Sequence, residues 1–535
     1  MDEHRQFIAG LRVTTLWTVT SRLLGMVRDM ATAALLGLST GGVMDAFVIA
    51  FRIPNLFRRL FGEGALAASY LPVLAEEMER DRGRAWQLAS VTFRWLAIVL
   101  AALVVVGEIG LALLWLIAPH HPRLGLLLGL AAVMLPYLWF ICLAAQVSAT
   151  LQALHRFGTP AFVPVLLNVV WITGALVIAP VATADKASQA YVLALCVLVG
   201  GVLQLVVQLP VLRKLGFRYD YHWPAVRQSV SRILVTLLPM LLGLAVTQIN
   251  TLLDSLIAWI FSSAQPETPI RWLGSSWNYP MQQGAAAAIY YGERLYQLPV
   301  GILGIAVATV IFPLLSRHAA RGDHRRIGAD LSLGLRLVLF LAVPAAAGLV
   351  LLAEPTARLL FERGEFRPED TVRTARMIRA YAVGVWAYCA LPVLVRGFYA
   401  LQDAHTPLRI GLGVVTCNLV LNLILIWPLA EAGLALSTAA AAALQVFWLA
   451  AAFAHQKSGL EGRAIAATLW RSVAASAAMF AAGILVQGWL TPGAALAQRI
   501  VAVVAPLLVC LAVYLTVYRL LGGSEWRLLA SRKPA

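Results

Sequence analysis

Residues 152–160 read Gln-Ala-Leu-His-Arg-Phe-Gly-Thr-Pro, and residues 399–407 read Tyr-Ala-Leu-Gln-Asp-Ala-His-Thr-Pro. The Ala-Leu and Thr-Pro pairs keep their spacing in the two stretches, which begin 247 residues apart (399 minus 152). A weaker sequence similarity links residues 52–74 with residues 297–315. The two stretches lie six apolar segments apart, and an even offset preserves the direction in which the chain crosses a membrane. The repeat therefore predicts two six-helix lobes related by a pseudo-two-fold axis along the membrane normal.

The composition excludes a water-soluble globule. Of the 535 residues, 60% are hydrophobic and 13% are charged, against about 25% charged in an ordinary soluble domain. A helix needs about 20 apolar residues to cross the hydrocarbon core. We therefore predict an all-α polytopic membrane protein with about 14 transmembrane helices. They are expected near 13–37, 44–62, 86–118, 124–153, 161–180, 188–212, 228–262, 284–314, 328–352, 372–401, 407–428, 432–454, 464–488 and 496–520.

These spans predict three parts of the chain. An N-terminal six-helix lobe is expected over residues 1–220, a C-terminal six-helix lobe over 221–458, and two additional helices with a tail over 459–535. The net charge is +16, and Lys and Arg, such as Arg213 and Lys214, concentrate in connections on the side that holds both termini. The positive-inside rule therefore predicts cytoplasmic termini. The positive surplus fits loops at an anionic leaflet, so no nucleic-acid partner is expected.

Several spans carry charged residues where lipid should exclude them. An ionised side chain near the bilayer centre costs about 2.5–3.5 kcal/mol on insertion scales. Asp45, Arg52 and Arg59 drift by only about 20° per seven-residue step of a helix, so they form one charged stripe. We therefore predict that these groups line a wet interior. The candidate residues are Ser21, Arg22, Arg28, Asp29, Asp45, Arg52, Arg58, Arg59, Glu63, Glu293 and Arg294.

Two interpretations of these charges remain open. In the first, Arg58 and Arg59 extend to the membrane surface and Arg28 simply pairs with Asp29. In the second, the surplus guanidinium groups line a cavity for a phosphate or pyrophosphate, which Arg can contact bidentately while staying charged. The second interpretation predicts an anionic cargo.

Six stretches carry a family resemblance. They are Ser-Arg-Leu-Leu-Gly-Met-Val-Arg-Asp at 21–29, Pro-Asn-Leu-Phe-Arg-Arg-Leu-Phe-Gly-Glu-Gly-Ala at 54–65, Gly-Gly-Val-Leu-Gln-Leu at 200–205, Glu-Arg-Leu-Tyr-Gln-Leu-Pro at 293–299, Phe-Glu-Arg-Gly-Glu-Phe at 361–366 and Gly-Phe-Tyr-Ala at 397–400. Together they resemble the MurJ (MviN) lipid II flippases of the multidrug/oligosaccharidyl-lipid/polysaccharide exporter superfamily. That family has two six-helix lobes followed by two further helices.

The resemblance implies a transporter rather than an enzyme. Its expected cargo is lipid II, an undecaprenyl-pyrophosphate-linked disaccharide-pentapeptide. Alternating access would move this cargo from the inner to the outer leaflet of the bacterial cytoplasmic membrane for peptidoglycan synthesis. Alternatives are a flippase for another polyprenyl-pyrophosphate-linked oligosaccharide and, from a different class, an enzyme that processes polyprenyl phosphates. Such an enzyme would need clustered Asp or His, whereas the nine histidines are scattered along the sequence.

The resemblance also implies roles for individual residues. Asp45 and Glu63 match essential acidic positions, while Glu293 stands where a relative has Asp and is expected to pair with Arg294. Ser21 and Arg52 complete the predicted substrate site. The arginines that match the family's pyrophosphate- and sugar-binding positions are Arg22, Arg28, Arg58 and Arg294.

Sodium is the one cofactor that the resemblance implies, as a coupling ion held by oxygen ligands. The candidate ligands are Asp254, Asn418, Asn422 and Thr438, but intramembrane Asn and Thr also join helices through hydrogen bonds.

Membrane lipids and lipid II are the expected partners, with cell-wall synthases as further candidates. A hydrophobic groove bordered by the last two helices would hold the lipid tail. The stretch 265–283, with Trp272, Trp277 and Tyr279, predicts an interfacial aromatic patch.

Overall fold

A computed structural model of the chain describes residues 2–62, 65–117, 121–270, 277–455, 459–490, 493 and 495–530. These residues form helices α1 to α21, three π-helical turns and two short strands. The helices are α1 (Asp2–Leu36), α2 (Val43–Phe57), α3 (Ala65–Arg80), α4 (Arg82–Ile117), α5 (Pro122–Met134), α6 (Tyr137–Ala153), α7 (Gly158–Thr173), α8 (Ala179–Ala182), α9 (Lys186–Val206), α10 (Gln208–Lys214), α11 (Trp223–Ile260), α12 (Ala285–Pro299), α13 (Ile305–Ala320), α14 (His324–Phe361), α15 (Pro368–Ala382), α16 (Val385–Ala400), α17 (His405–Leu429), α18 (Glu431–His455), α19 (Gly462–Trp489), α20 (Leu496–Leu520) and α21 (Glu525–Ala530). The π-helical turns are Arg58–Gly62, Gly174–Ile178 and Val300–Gly304, and the strands are β1 (Ser262–Ser263) and β2 (Met281–Gln282).

The predicted polytopic all-α fold is confirmed. Among the described residues, 11 helical segments are long and apolar enough to cross a membrane, or 12 if α15 and α16, which meet at 42°, form one bent span. The two other predicted spans correspond to α1 and α2, the helices that carry the intramembrane charges. The prediction of about 14 spans is compatible with this arrangement.

The chain divides into two compact units. The first comprises residues 1–259 with 363–366, and the second comprises residues 260–362 with 367–535. Helix α11 therefore groups almost entirely with the first unit. These units reflect packing, whereas the predicted lobes reflect the sequence repeat, so the lobe limits at 220 and 458 stay a prediction.

The repeat has a counterpart in the backbone of the two links that suggested it. His155 and Gln402 both have positive φ (58° and 59°) although neither is glycine. In the first link, the amide of Arg156 donates to the carbonyl of Leu151 (2.8 Å). In the second, Asp403 donates to Phe398 (2.9 Å), again 247 residues later. Both links are thus the same helix-terminating turn, in which a left-handed residue lets the chain cap the preceding helix.

Aromatic residues form a central part of the first unit's core. The ring of Trp171 on α7 meets Phe47 and Phe51 of α2 edge-on, at centroid distances of 5.6 and 4.8 Å. Helices α7 and α9 approach closely because Gly200 has no side chain, and a Cβ there would come within 2.7 Å of Leu167. Small residues at such contacts are typical of helix packing in membranes. The core packs α7 against α2, and α1 and α2 carry most of the predicted site residues of the first unit.

The second unit has two adjoining apolar clusters. One is formed by α13, α14, α16 and α18, and the other by α14, α19 and α20. The two C-terminal helices pair with each other and pack on α14. Helix α14 therefore joins the last two helices to the rest of this unit.

The sequence analysis did not predict two short strands at the ends of the stretch 265–283: β1 lies just before it and β2 near its end. Strands β1 and β2 pair in parallel, and Pro269 bridges to Asn278. The ring of Trp277 lies 4.6 Å from that of Trp427 at the end of α17. Trp272 lies outside the described residues, so the aromatic patch is described only in part.

Candidate substrate site and apolar groove

Arg28 is held in a fixed position on α1. Its Nε and Nη2 atoms donate to Oδ1 of Asp29 (3.0 and 2.8 Å), and Nη1 donates to Oδ1 of Asn168 (3.2 Å). The guanidinium carbon lies 4.7 Å from the ring centroid of Trp171, a cation–π distance. The side chain of Arg28 is 12% exposed and that of Asp29 is 5% exposed. The predicted pairing of Arg28 with Asp29 is therefore present, together with two further contacts from α7.

Asn168 connects Arg28 to another predicted residue. Its Nδ2 atom donates to the carbonyl of Ser21 (3.0 Å), which lies two helical turns before Arg28 on α1. Trp171, one turn further along α7, donates to Oγ1 of Thr32 (3.0 Å). Helix α7 thus supplies the polar side chains that orient this face of α1.

Arg22 is directed differently from Arg28. Six residues on a helix correspond to a rotation of about 240°, so the two side chains leave α1 in different directions. Arg22 is exposed, whereas Arg28 is mostly buried. The structure therefore brings Ser21 and Arg28 together through Asn168 but places Arg22 on another face of the helix.

The charged stripe on α2 is partly buried against α11. Asp45 is fully buried, and Arg52 donates from Nη1 to the carbonyl of Thr251 (3.0 Å). Arg59 donates from Nη1 to the side-chain oxygen of Gln248 (3.3 Å). These contacts show that the predicted stripe packs against a polar face of a second helix within the first unit.

Arg58 begins the π-helical turn that follows α2. Its Nε atom donates to Oδ1 of Asn55 on the preceding turn (2.9 Å). The extra residue of a π turn changes the direction of the side chains that follow, and such turns occur often at functional sites. Glu63, the predicted acidic partner beyond this turn, lies outside the described residues.

Glu293 and Arg294 lie on α12 in the second unit. Glu293 is buried, and the guanidinium carbon of Arg294 is 4.4 Å from the ring centroid of Tyr290. Residues four apart on a helix share a face, so Tyr290 and Arg294 form a stacked pair along α12. The aromatic face stabilises the cation on α12.

The candidate sodium ligands are divided between the two units. Asp254, in the first unit, is 2% exposed. In the second unit, Asn422 donates from Nδ2 to Oδ1 of Asn418 (3.1 Å), and both are buried. Thr438 donates its hydroxyl to the carbonyl of Leu434 on its own helix (3.0 Å). The Asn pair is therefore bonded along one helix, and sodium binding stays a prediction.

An apolar groove of about 690 Å³ runs along the second unit. It is bordered by α14, α19 and α20, with Pro299 and Leu303 of the α12 segment on its wall. Arg519 and Trp526 lie at one end, where the guanidinium carbon is 4.1 Å from the indole ring centroid. The groove occupies the position that the resemblance predicts for a lipid tail, beside the last two helices.

A buried carboxylate secures the end of this groove. Glu525 on α21 is fully buried and accepts hydrogen bonds from Arg336 (2.7 Å), Thr468 (2.7 Å) and Tyr518 (2.6 Å). Burial raises the pKa of Glu525, but these hydrogen bonds outweigh burial and lower the pKa to about 2. The carboxylate therefore joins α14, α19, α20 and α21, and places Trp526 at the groove.

Sequence reasoning missed several residues that orient the predicted site. Asn168 is a buried amide within an apolar span, and such residues are themselves candidates for functional sites, so this signal was available in the sequence. The role of Gln248 depends on which face of α11 lies against Arg59, and no pattern within α11 alone identifies it. Tyr290 lies four residues before Arg294 on α12, so helical spacing could have identified this pair.

Comparison with known proteins identifies the relatives of the chain. The family model described as "Lipid II flippase MurJ" matches residues 32–499. A protein from Haemophilus influenzae named probable lipid II flippase MurJ is 34% identical over 451 residues, covering 81% of this chain and 83% of that protein.

Solved structures agree on the fold. A lipid II flippase MurJ in an inward closed conformation matches with a TM-score of 0.73 at 22% identity, covering 95% of this chain and 98% of that one. An inward-facing MATE family multidrug transporter of the MOP superfamily matches with a TM-score of 0.62 at 12% identity, covering 83% and 98%. The superfamily fold expected from the sequence is thus confirmed.

Proposed function

Because the chain belongs to the lipid II flippase MurJ family, we propose that it moves lipid II from the inner to the outer leaflet of the bacterial cytoplasmic membrane. The family is one of transporters, so the proposed activity includes no covalent step. The proposed orientation, with the Lys- and Arg-rich connections on the inner side of the membrane, places both chain termini in the cytoplasm. Cell-wall synthases, which use the product on the outer side, are proposed partners.

The contacts that hold Arg28 in place are the observation that supports recognition of the pyrophosphate. Its guanidinium on α1 is held by Asp29, Asn168 and the ring of Trp171. Side chains that are already ordered lose little entropy when they bind a ligand. A diphosphate offers strong acceptors to such a group, and the pairing is bidentate and charge-assisted. We therefore assign Arg28 to the head group, together with Ser21, Arg52, Arg58 and the other predicted polar residues.

The apolar groove of the second unit supports a role in holding the polyprenyl tail. Its lining is almost entirely aliphatic and aromatic, with Arg519 at one end. Burial of each CH₂ group contributes about 0.8 kcal/mol, so a long isoprenoid gains substantially from such a surface. The head group and tail would then be held by different parts of the chain during transport.

A leaflet-accessibility assay for lipid II tests the proposed function. Cells depleted of their own flippase and supplied with this chain should regain labelling of lipid II in the outer leaflet. Arg28→Ala should reduce this labelling by about tenfold to a hundredfold, because a hydrogen bond to a charged group contributes about 1.5–3 kcal/mol. Arg28→Lys should also be impaired, since Lys keeps the charge but lacks the planar fork.

Arg325→Ala is the matched control for these variants. Arg325 is exposed at the start of α14, outside the apolar part of that helix. This variant should retain wild-type labelling. Wild-type labelling by Arg28→Ala at equal protein level would contradict the assigned site. Failure of the unmodified chain to restore labelling would instead indicate another polyprenyl-pyrophosphate-linked cargo.

Sodium coupling is a further part of the proposal. Asn418 and Asn422 bring buried amide oxygens into α17, and hard oxygen ligands suit a small cation. Asp254 and Thr438 are the remaining candidates. Replacing sodium by potassium at constant membrane potential should slow lipid II transport, and Asn418→Ala should remove this dependence. Equal transport rates in the two salts would contradict sodium coupling.

A further inference from the structure

Helix α11 is fastened within the first unit at both of its ends. Near its start, Ser229 donates its hydroxyl to a carboxylate oxygen of Glu77 on α3 (2.6 Å). Near its end, Arg123 of α5 donates to the carbonyl of Trp259 (3.2 Å) and lies 5.3 Å from the centroid of its ring. These contacts fix the two ends of a helix that is 38 residues long.

The part of α11 between these ends is attached to α2 by two arginines of the predicted site. Arg52 donates to the carbonyl of Thr251, and Arg59 donates to the side-chain oxygen of Gln248. Both acceptors are neutral. Thr251 and Gln248 are three residues apart, so they lie on the same face of α11.

A phosphate group is a better partner for these guanidinium groups than a carbonyl or an amide. A phosphate carries a full negative charge and can accept two parallel bonds from one Arg, whereas a carbonyl or amide oxygen carries only a partial charge. A diphosphate that reaches Arg52 and Arg59 therefore competes with Thr251 and Gln248 for the same donors.

The same part of α11 has the features of a segment that can bend. Pro239 lies inside the helix and removes one backbone hydrogen bond, and kinks in helices form mostly at such positions. Leu238 and Ile249 are exposed and so add little packing at their positions on the helix. The two arginine contacts are thus polar attachments of α11 between Pro239 and Trp259.

We propose that Thr251 and Gln248 accept hydrogen bonds from Arg52 and Arg59 that the cargo's phosphates accept once the cargo is bound. A bound diphosphate thereby releases α11 from α2. Gln248 then competes with the cargo: it accepts the hydrogen bond of Arg59 before the cargo arrives and is displaced when the cargo binds. The released segment bends at Pro239 while its ends stay attached. This inference rests on the proposed function, because it takes the arginines as the diphosphate site.

Hydrogen–deuterium exchange on the full-length protein in detergent tests the release. The probe is farnesyl diphosphate, and farnesol, which has the same tail without phosphates, is its control. Farnesyl diphosphate should raise the melting temperature, because a ligand of the folded state stabilises it. It should also increase amide exchange in peptides covering residues 240–255, whereas farnesol should leave that exchange unchanged.

Gln248→Glu provides the sharper measurement. A carboxylate at this position pairs with Arg59 through a charge-assisted bond, which the diphosphate must then displace. The diphosphate concentration needed for half-maximal exchange over residues 240–255 should rise by about tenfold, equivalent to about 1.4 kcal/mol. Gln248→Leu removes the acceptor and should lower that concentration.

Asn250→Asp is the matched control on the same helix. It introduces the same negative charge two residues away, about 200° around α11 and so on the opposite face. The diphosphate concentration that gives half-maximal exchange over residues 240–255 should be the same in Asn250→Asp as in the wild type. An equal shift in Asn250→Asp and Gln248→Glu would overturn the inference, since the effect would then be a general one of added charge.

The two readouts separate this inference from the proposed function. A rise in melting temperature with unchanged exchange over residues 240–255 would overturn the release of α11 alone and leave the diphosphate site standing. No rise in melting temperature would contradict the diphosphate site itself, and the release with it.

Discussion

At the scale of single residues, the position of each guanidinium is set by a few neutral or acidic partners. Arg28 shows this most directly, because three groups from two helices contact it. An unpaired charge at this depth would be costly, whereas a paired one is stable and still presents a cation. Ion pairing with Asp29 and a role in binding phosphate are therefore compatible, and the two interpretations drawn from the sequence need not exclude each other.

Asn168→Leu should disturb Arg28 without removing its charge. The amide accepts from Arg28 and donates to the carbonyl of Ser21, and loss of both contacts should cost about 1–3 kcal/mol. We expect lower thermal stability and weaker binding of a polyprenyl diphosphate, both measured on the purified protein. Val169→Ala, an exposed position on the same helix, should change neither. Unchanged diphosphate binding in Asn168→Leu would show that Arg28 keeps its position without this amide.

Glu525 makes stability depend on pH in a defined direction. Its pKa is lowered from 4.5 to about 2, so the ionised carboxylate favours the folded state. The stabilisation should be complete above about pH 5 and should be lost progressively as the pH falls from there towards 2. Melting temperatures between pH 6 and pH 3 should therefore fall more steeply in the wild type than in Glu525→Gln. Glu267→Gln, at an exposed position, should keep the wild-type slope, and equal slopes in all three proteins would contradict this role of Glu525.

At the scale of elements, breaks in the helices recur at matching places. Helices α5 and α6 are separated at residues 135–136, and α15 and α16 at residues 383–384. Pro54 precedes the π turn after α2, and Pro299 directly precedes the one after α12. Irregular backbone at membrane depth is tolerated only next to protein or a water-filled cavity. These two pairs of breaks lie at equivalent points of the repeat, as expected of a repeated transporter fold. The π turn Gly174–Ile178 has no counterpart in α17, which is continuous.

The segment 363–366 packs tightly on the end of α1 within the first unit. The amide of Glu365 donates to the carbonyl of Ala34 (2.9 Å), and its carboxylate pairs with Lys186 (3.0 Å). Gly364 has a φ of +59°, and a Cβ there would overlap the Ala34 carbonyl. The glycine in the predicted family motif therefore permits a close approach of two backbones.

Gly364→Ala should destabilise the protein by more than the strain of a positive φ. Gly322→Ala is the matched control, because Gly322 has a similar φ of +68° but no atom within 4 Å of an added Cβ. Strain at a positive φ costs about 1–2 kcal/mol in both variants. Only Gly364→Ala should add a steric cost, seen as a larger fall in melting temperature. Equal falls in the two variants would contradict the close packing at Ala34.

At the scale of the whole molecule, transport of a long lipid requires room for its tail as well as its head. The groove beside α14, α19 and α20 provides an apolar surface in the second unit. Gly348 lies on its wall, with no atom within 4 Å of an added Cβ, so a larger side chain would project into the groove.

Gly348→Leu should impair transport of a long-tailed substrate more than that of a short-tailed analogue. A leucine there occupies space that the polyprenyl chain would otherwise fill. The measurement is the ratio of flipping rates for undecaprenyl- and farnesyl-linked substrates in proteoliposomes. Gly110→Leu, a helical glycine on α4 that also has open space, should leave this ratio unchanged. A ratio unaffected by Gly348→Leu would argue against the groove as the tail site.

The amino-acid sequence was sufficient to predict an all-α membrane protein with a repeated architecture, because apolar runs and repeated links are local patterns. It also identified Arg28, Arg52 and Arg294 as charges that need a polar surrounding, since the cost of burying a charge is independent of the fold. Relationships within one helix, such as the stripe from Asp45 to Arg59, were predictable for the same reason.

The partners that reach these charges from distant helices could not be predicted from such local patterns. Asn168 reaches Arg28 across 140 positions, and Glu525 reaches Arg336 across 189. Such contacts depend on which helix faces pack together, and one apolar helix looks much like another in sequence. The distant partners of these arginines were therefore set by packing geometry, because helix rotation and contact are determined by side-chain fit between distant segments.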